Sequence, residues 1–126
     1  MAIVQPFVLC RDIGETEDAT EMVIVGPFSR ARVGQFPIEI QICAYAQVYE
    51  LDRAGSATLA LLDASGNAIW THPEPIPLGN PIPGSLHRIV LRELRVLVEK
   101  PGEYELVLSV DSGGEARHPL IVSQSH

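Results

Sequence analysis

Pro101-Gly-Glu-Tyr-Glu-Leu-Val-Leu-Ser-Val-Asp111 places a Pro-Gly turn ahead of a run in which Tyr104, Leu106, Leu108 and Val110 alternate with Glu103, Glu105, Val107 and Ser109. Successive side chains of a strand point to opposite faces, so period two predicts a strand with one apolar face on a core and one mostly polar face. Nothing in the run repeats at 3.6 residues. The chain is therefore read as β-structure from this stretch outward.

The longest alternating run lies upstream. Ile38, Ile40, Ile42, Ala44, Ala46 and Val48 take one parity, and Glu39, Gln41, Cys43, Tyr45, Gln47 and Tyr49 take the other. The first set is expected to face the core, which leaves Cys43 and two tyrosines in a row on the opposite face. Residues 56–62 and 68–71 read as a hairpin around Asp63-Ala-Ser-Gly-Asn67, with Gly66-Asn67 supplying the turn conformations. Residues 86–99 are apolar but shift phase at Arg92-Glu93. A bulge or bend there is expected to carry the chain from one sheet towards the other.

Residues 2–10 read as a first strand, in which Pro6 requires an edge position or a bulge because proline cannot donate to a ladder. Residues 11–21 hold Asp12, Glu15, Glu17, Asp18 and Glu21 with no apolar period, and read as an exposed acidic loop. Its register is not that of a calcium loop. Met22-Val-Ile-Val-Gly-Pro-Phe28 is a short apolar strand, and the Ser-Arg-Ala-Arg-Val-Gly stretch after it reads as a connection. Arg30 and Arg32 share one side of that connection; solvated charges are the plain reading and an anion clamp the sharper one. Residues 72–84 hold five of the ten prolines and form a stiff crossing, neither helix nor central strand. A last strand covers residues 118–123.

Composition narrows the function classes. The chain has 126 residues, a hydrophobic fraction of 46% and a net charge of −7, which fits one globular domain over 1–126. Excess negative charge with scattered Lys and Arg argues against nucleic acid as a partner. No run is apolar for long enough to span a bilayer, and the opening residues lack a signal-peptide layout, so no membrane partner and a cytoplasmic setting with reduced cysteines are expected. His72, His87, His118 and His126 are unpaired at ligand spacing, and neither Cys10 nor Cys43 has a second ligand nearby. No metal, cofactor or catalytic residue is assigned. Nucleophile elbows and phosphate loops are absent.

Gly102 and Tyr104, at the entry of the opening stretch, match the tyrosine corner of Greek-key sandwiches, in which the phenol buries its ring and bonds nearby backbone. The antibody disulfide is missing, since Leu106 stands where the second cysteine belongs. The fold expected is an all-β Greek-key sandwich of immunoglobulin type, with about eight strands and no substantial helix. The order of Phe-Val-Leu-Cys, an acidic loop, Ile-Val-Gly-Pro-Phe, Phe36-Pro37, Leu-Asp-Ala-Ser-Gly, Pro-Gly-Glu-Tyr and Pro-Leu-Ile-Val resembles a family of short, uncharacterised bacterial β-sandwich proteins. That resemblance implies a fold and no activity.

The function expected is a non-enzymatic binding or assembly module acting through a sheet face or edge, with itself or another protein as partner. Cys43, Tyr45 and Tyr49 are the candidate interface, because tyrosine buries area while its hydroxyl stays satisfied. Cover by the chain's own Pro-rich crossing is the competing reading of that face. Two other classes remain: a carbohydrate-binding module using exposed tyrosines and Trp70, and a hydrolytic or metal enzyme joining His72 or His118 to acidic loop residues.

Overall fold

The computed structural model describes residues 2–15, 22–80 and 86–125. Among them there is no helix, and ten strands form two sheets. β1 (Ile3–Glu15), β2 (Met22–Pro27), β4 (Ile38–Tyr49) and β8 (His87–Val98) make a four-stranded sheet in the order β2-β1-β4-β8. The second sheet runs β3 (Arg30–Val33), β10 (Glu115–Gln124), β9 (Gly102–Val110), β5 (Gly55–Leu62), β6 (Ala68–Thr71), and β7 (Ile76–Leu78) also pairs with β5. All neighbours are antiparallel except β3 and β10.

The core lies between the two sheets and is built from the apolar parities. Ile42, Ala44, Ala46 and Val48 of β4 meet Leu94, Val96 and Val98 of β8 on one side, and Leu59, Leu61, Leu106, Leu108, Leu120 and Val122 on the other. Tyr104 belongs to this core, and its hydroxyl donates to the Lys100 carbonyl at 2.6 Å. A buried phenol needs such a partner, and a carbonyl four residues back in the same turn supplies it. The start of β1 is fastened to the other sheet where the Ala2 N–H donates to the Gly113 carbonyl at 3.3 Å. Gly114 sits beside that contact at φ 108 with the Ala2 carbonyl where a Cβ would stand, so only glycine fits.

Four details differ from the sequence expectation. The eight strands become ten because β3 and β7, of four and three residues, are too short to carry a periodic signal. The 29–34 connection is an edge strand on β10 with Arg30 and Arg32 outward, and the Pro-rich crossing lays Ile76 and Leu78 on the core. The supposed acidic loop begins late: residues 11–15 continue β1 and pair with β2 from Asp12↔Val25 to Glu15↔Met22, a polar strand stretch invisible to apolar period. Residues 16–21 lie outside the described residues. Finally, β8 does bulge at Arg92-Glu93, where Glu93 takes φ 57, yet it stays on β4 throughout and does not change sheets. Pro6 sits as required, at a register shift between Val4 and Phe7.

Candidate functional site

The face opposite the core on the four-stranded sheet is where the sequence put Cys43, Tyr45 and Tyr49. Cys43 and Tyr45 are only 5% exposed and Cys10 is fully buried, and with Ile13 they form a second apolar cluster flanked by Val8, Ile24 and Val90. Tyr49 is half-buried. Gln47 links the two tyrosines: its amide donates to the Tyr45 hydroxyl at 2.7 Å, and the Tyr49 hydroxyl donates back to the Gln47 carbonyl oxygen. These three are alternate residues of one strand face, so the period that aligns the rings also builds the hydrogen-bonded ladder.

The cover over this face is the β1–β2 hairpin. β1 pairs with β4 only up to Cys10↔Cys43 and then departs with β2. The Cys43 thiol donates to the Arg11 carbonyl at 3.4 Å, and Arg92, from the bulge of β8 on the far side of β4, donates to the Ile13 carbonyl at 3.2 and 3.1 Å. The arm therefore crosses over β4, bringing Ile13 and Ile24 onto Cys43 and Tyr45. The described part of the Pro-rich crossing lies on β5 in the other sheet. Cys10 and Cys43 are free thiols, and burial is the main cause that raises the Cys10 pKa, with Cys43 the next.

Among the described residues, departure of β1 leaves the first five residues of β4, 38–42, paired with β8 alone. Beside that open edge is a groove of about 610 Å³ lined by Arg11, Phe28, Arg30, Ala31, Arg32, Ile40 and Gln41. Arg11 stretches along the backbone of Gly26, its side-chain carbons 3.1 to 3.4 Å from where a Cβ would lie. The groove gathers three of the nine basic side chains of a chain with net charge −7, and among the described residues none of the three is ion-paired. Sequence reading saw Arg30 and Arg32 side by side; Arg11, remote in sequence, joins them only because the arm folds back. The arrangement can hold carboxylates or another anion by charge-assisted hydrogen bonds.

Other grooves lie over the Asp63 turn. One of about 650 Å³ is lined by residues 62–66 with Glu103, Tyr104, Glu105, Arg117, Pro119 and Ile121, and one of about 260 Å³ by Asp63, Ile69, Leu97, Glu99, Lys100 and Tyr104. None of the three grooves is lined by His72 or His118. The His72 ring stands edge-on to Trp70 with Nδ1 2.7 Å from the Glu74 carbonyl, and the His118 ring stands edge-on to Phe7 with Nδ1 2.9 Å from the Pro119 carbonyl. Trp70 packs half-buried against the main core. Among the described residues no group of three or more His, Cys, Asp or Glu side chains could hold a metal ion, and no helix is long and apolar enough to cross a membrane.

Residues 5–123 match the model of a family of unknown function, DUF6941. The chain belongs to that family. The matched span of DUF6941 runs from the Pro6 bulge into β10, ending one residue before Gln124, so it takes in both sheets, the arm and the arginine groove. None of the curated proteins compared with the chain matches it.

Proposed function

We propose that this chain is a non-catalytic assembly module, a Greek-key sandwich of immunoglobulin type that pairs with a second copy through the free edge of β2. The architecture is supported by the Tyr104–Lys100 hydrogen bond at the turn before β9, and by a last strand that meets a short early strand in parallel. One observation carries the functional reading: among the described residues, β2 is an edge strand left bare. Among the described residues its only hydrogen-bonded neighbour is β1, it has no charged side chain, and Val23 and Val25 are 45% and 48% exposed on one face.

Natural sheets blunt their edges with charge, proline, bulges or shortness, since unpaired N–H and C=O groups template pairing. The other outer strands among the described residues follow that rule. β8 carries Arg88, Arg92, Glu93 and Arg95 with a bulge; β3 carries Arg30 and Arg32; β6 has four residues, and β7 three with Pro77 at its centre. On β2 only Gly26-Pro27, at the far end, interrupts pairing. Antiparallel addition of a second β2 about a two-fold axis would join two four-stranded sheets and cover the valines.

Light scattering tests this. The wild type is expected to be dimeric, and the Val23→Lys/Val25→Lys variant monomeric with an unchanged β-sheet circular dichroism spectrum. A wild type that stays monomeric at high concentration removes the reading.

A further inference from the structure

A pairing confined to residues 22–25 covers too little surface for a stable dimer, which buries on the order of 1,200 to 2,000 Å². Something beyond the strand edge has to meet. We infer that the arginine groove of each copy receives the acidic stretch of the other, Glu15-Thr-Glu-Asp-Ala-Thr-Glu21, an inference that rests on the β2-edge dimer proposed above.

Register leads to this occupant. With Gly26 at φ 62 and Pro27 lacking an N–H, the segment of β2 able to pair in both copies is 22–25. A two-fold axis between Val23 and Ile24 sets Met22 of one copy opposite Val25 of the other. The acidic stretch, joined in sequence to Met22, is then tethered in each copy next to Val25 of its partner, one residue from Gly26. That is the mouth of the groove, because Arg11 lies over Gly26 and Phe28 lines the wall next to Arg30 and Arg32.

Charge decides between this occupant and others. Residues 15–21 hold four carboxylates and no base, while the groove holds three guanidiniums. Two such contacts, related by the two-fold, set like charges apart and opposite charges together. Arginine suits the role because its planar fork takes a carboxylate through two hydrogen bonds. Phe28 and Ile40 supply an apolar wall against which those ion pairs are partly shielded from water.

A charge-swap pair tests the inference. The groove variant Arg30→Glu/Arg32→Glu and the tip variant Glu17→Lys/Asp18→Lys should each dimerise at least tenfold more weakly than wild type, by sedimentation of the full chain. Mixed together, they should recover a heterodimer near wild-type affinity, since the carboxylates introduced into one groove then meet the ammonium groups introduced into the other tip, while the unaltered groove meets the unaltered tip. Rising salt should weaken the wild-type dimer. Circular dichroism and melting of each variant establish that it is folded; if one does not fold, the single changes Arg32→Glu and Asp18→Lys are mixed instead. A wild-type dimer with both variants unaffected, or weakened variants with no recovery on mixing, overturns the groove contact and leaves the β2 edge standing. A monomeric wild type overturns both.

Discussion

The Arg92 guanidinium donates two hydrogen bonds to the Ile13 carbonyl, tying the bulge of β8 to the β1–β2 arm across the intervening strand β4. The bulge and the arm are thus one device, since Glu93 at φ 57 frees Arg92 from the ladder and the arm supplies the carbonyl it reaches. Arg92→Ala should cost roughly 1 to 2 kcal/mol, the low end for a charged donor because the side chain is exposed. The loss should concentrate on the arm. Alkylation of Cys10 and Cys43 under native conditions should therefore speed up more than the fall in melting temperature alone explains.

Tyr104 offers a test of the core. Tyr104→Phe removes the bond to the Lys100 carbonyl and should cost about 1 kcal/mol, whereas Tyr104→Ala empties a site buried among core residues and should cost about 3 to 5 kcal/mol. Chemical denaturation of both variants measures the difference. Equal small losses would mean that the ring is not part of the core.

Alternation made the sandwich legible wherever a strand had one wet face and one dry face. β4 runs from residue 38 to residue 49 as its parity requires, and the phase slip at Arg92-Glu93 is a bulge. What alternation could not show was the second dry face. Cys43 and Tyr45 were correctly assigned to the far side of β4, but their burial depends on an arm whose strand, at residues 11–15, is polar and so carries no period-two apolar signal. The groove was illegible for the same reason: Arg11 is some twenty residues from Arg30, and only the arm's departure from β4 brings them together.

Alkaline pH should lower stability. Burial, with the nearby Cys43, raises the Cys10 thiol above its ordinary 9.0, and burial, with Asp63 and Glu99, raises the Tyr104 phenol above its ordinary 10.0. Above those ordinary values the unfolded chain gives up protons that the folded chain retains, so unfolding becomes easier as pH climbs. The stabilising contribution is complete below about pH 9. It is lost as pH rises through the folded-state values. Denaturant midpoints from pH 7 to 11 should fall over the alkaline part of that range, and Cys10→Ala should flatten the onset.

Tyr45 and Tyr49 should part company on mutation, although the strand period places them on one face. Tyr45 is held among Cys10, Ile13 and Cys43 beneath the arm, whereas Tyr49 is half-buried beyond Gln47 at the end of the row. Tyr45→Ser should therefore destabilise the protomer by about 3 to 5 kcal/mol, in the range of other large aromatic truncations in a core. Tyr49→Ser should cost about 1 kcal/mol, through the lost bond to Gln47 and a little area. If the row were an interface left open in the single chain, the two changes would instead lower the dimer fraction alike and leave the denaturation midpoint of the dilute monomer where it was. Denaturation and light scattering on the same two variants separate these outcomes. Loss of monomer stability confined to Tyr45 establishes that this face belongs to the protomer's own core and leaves assembly to the edge beside it.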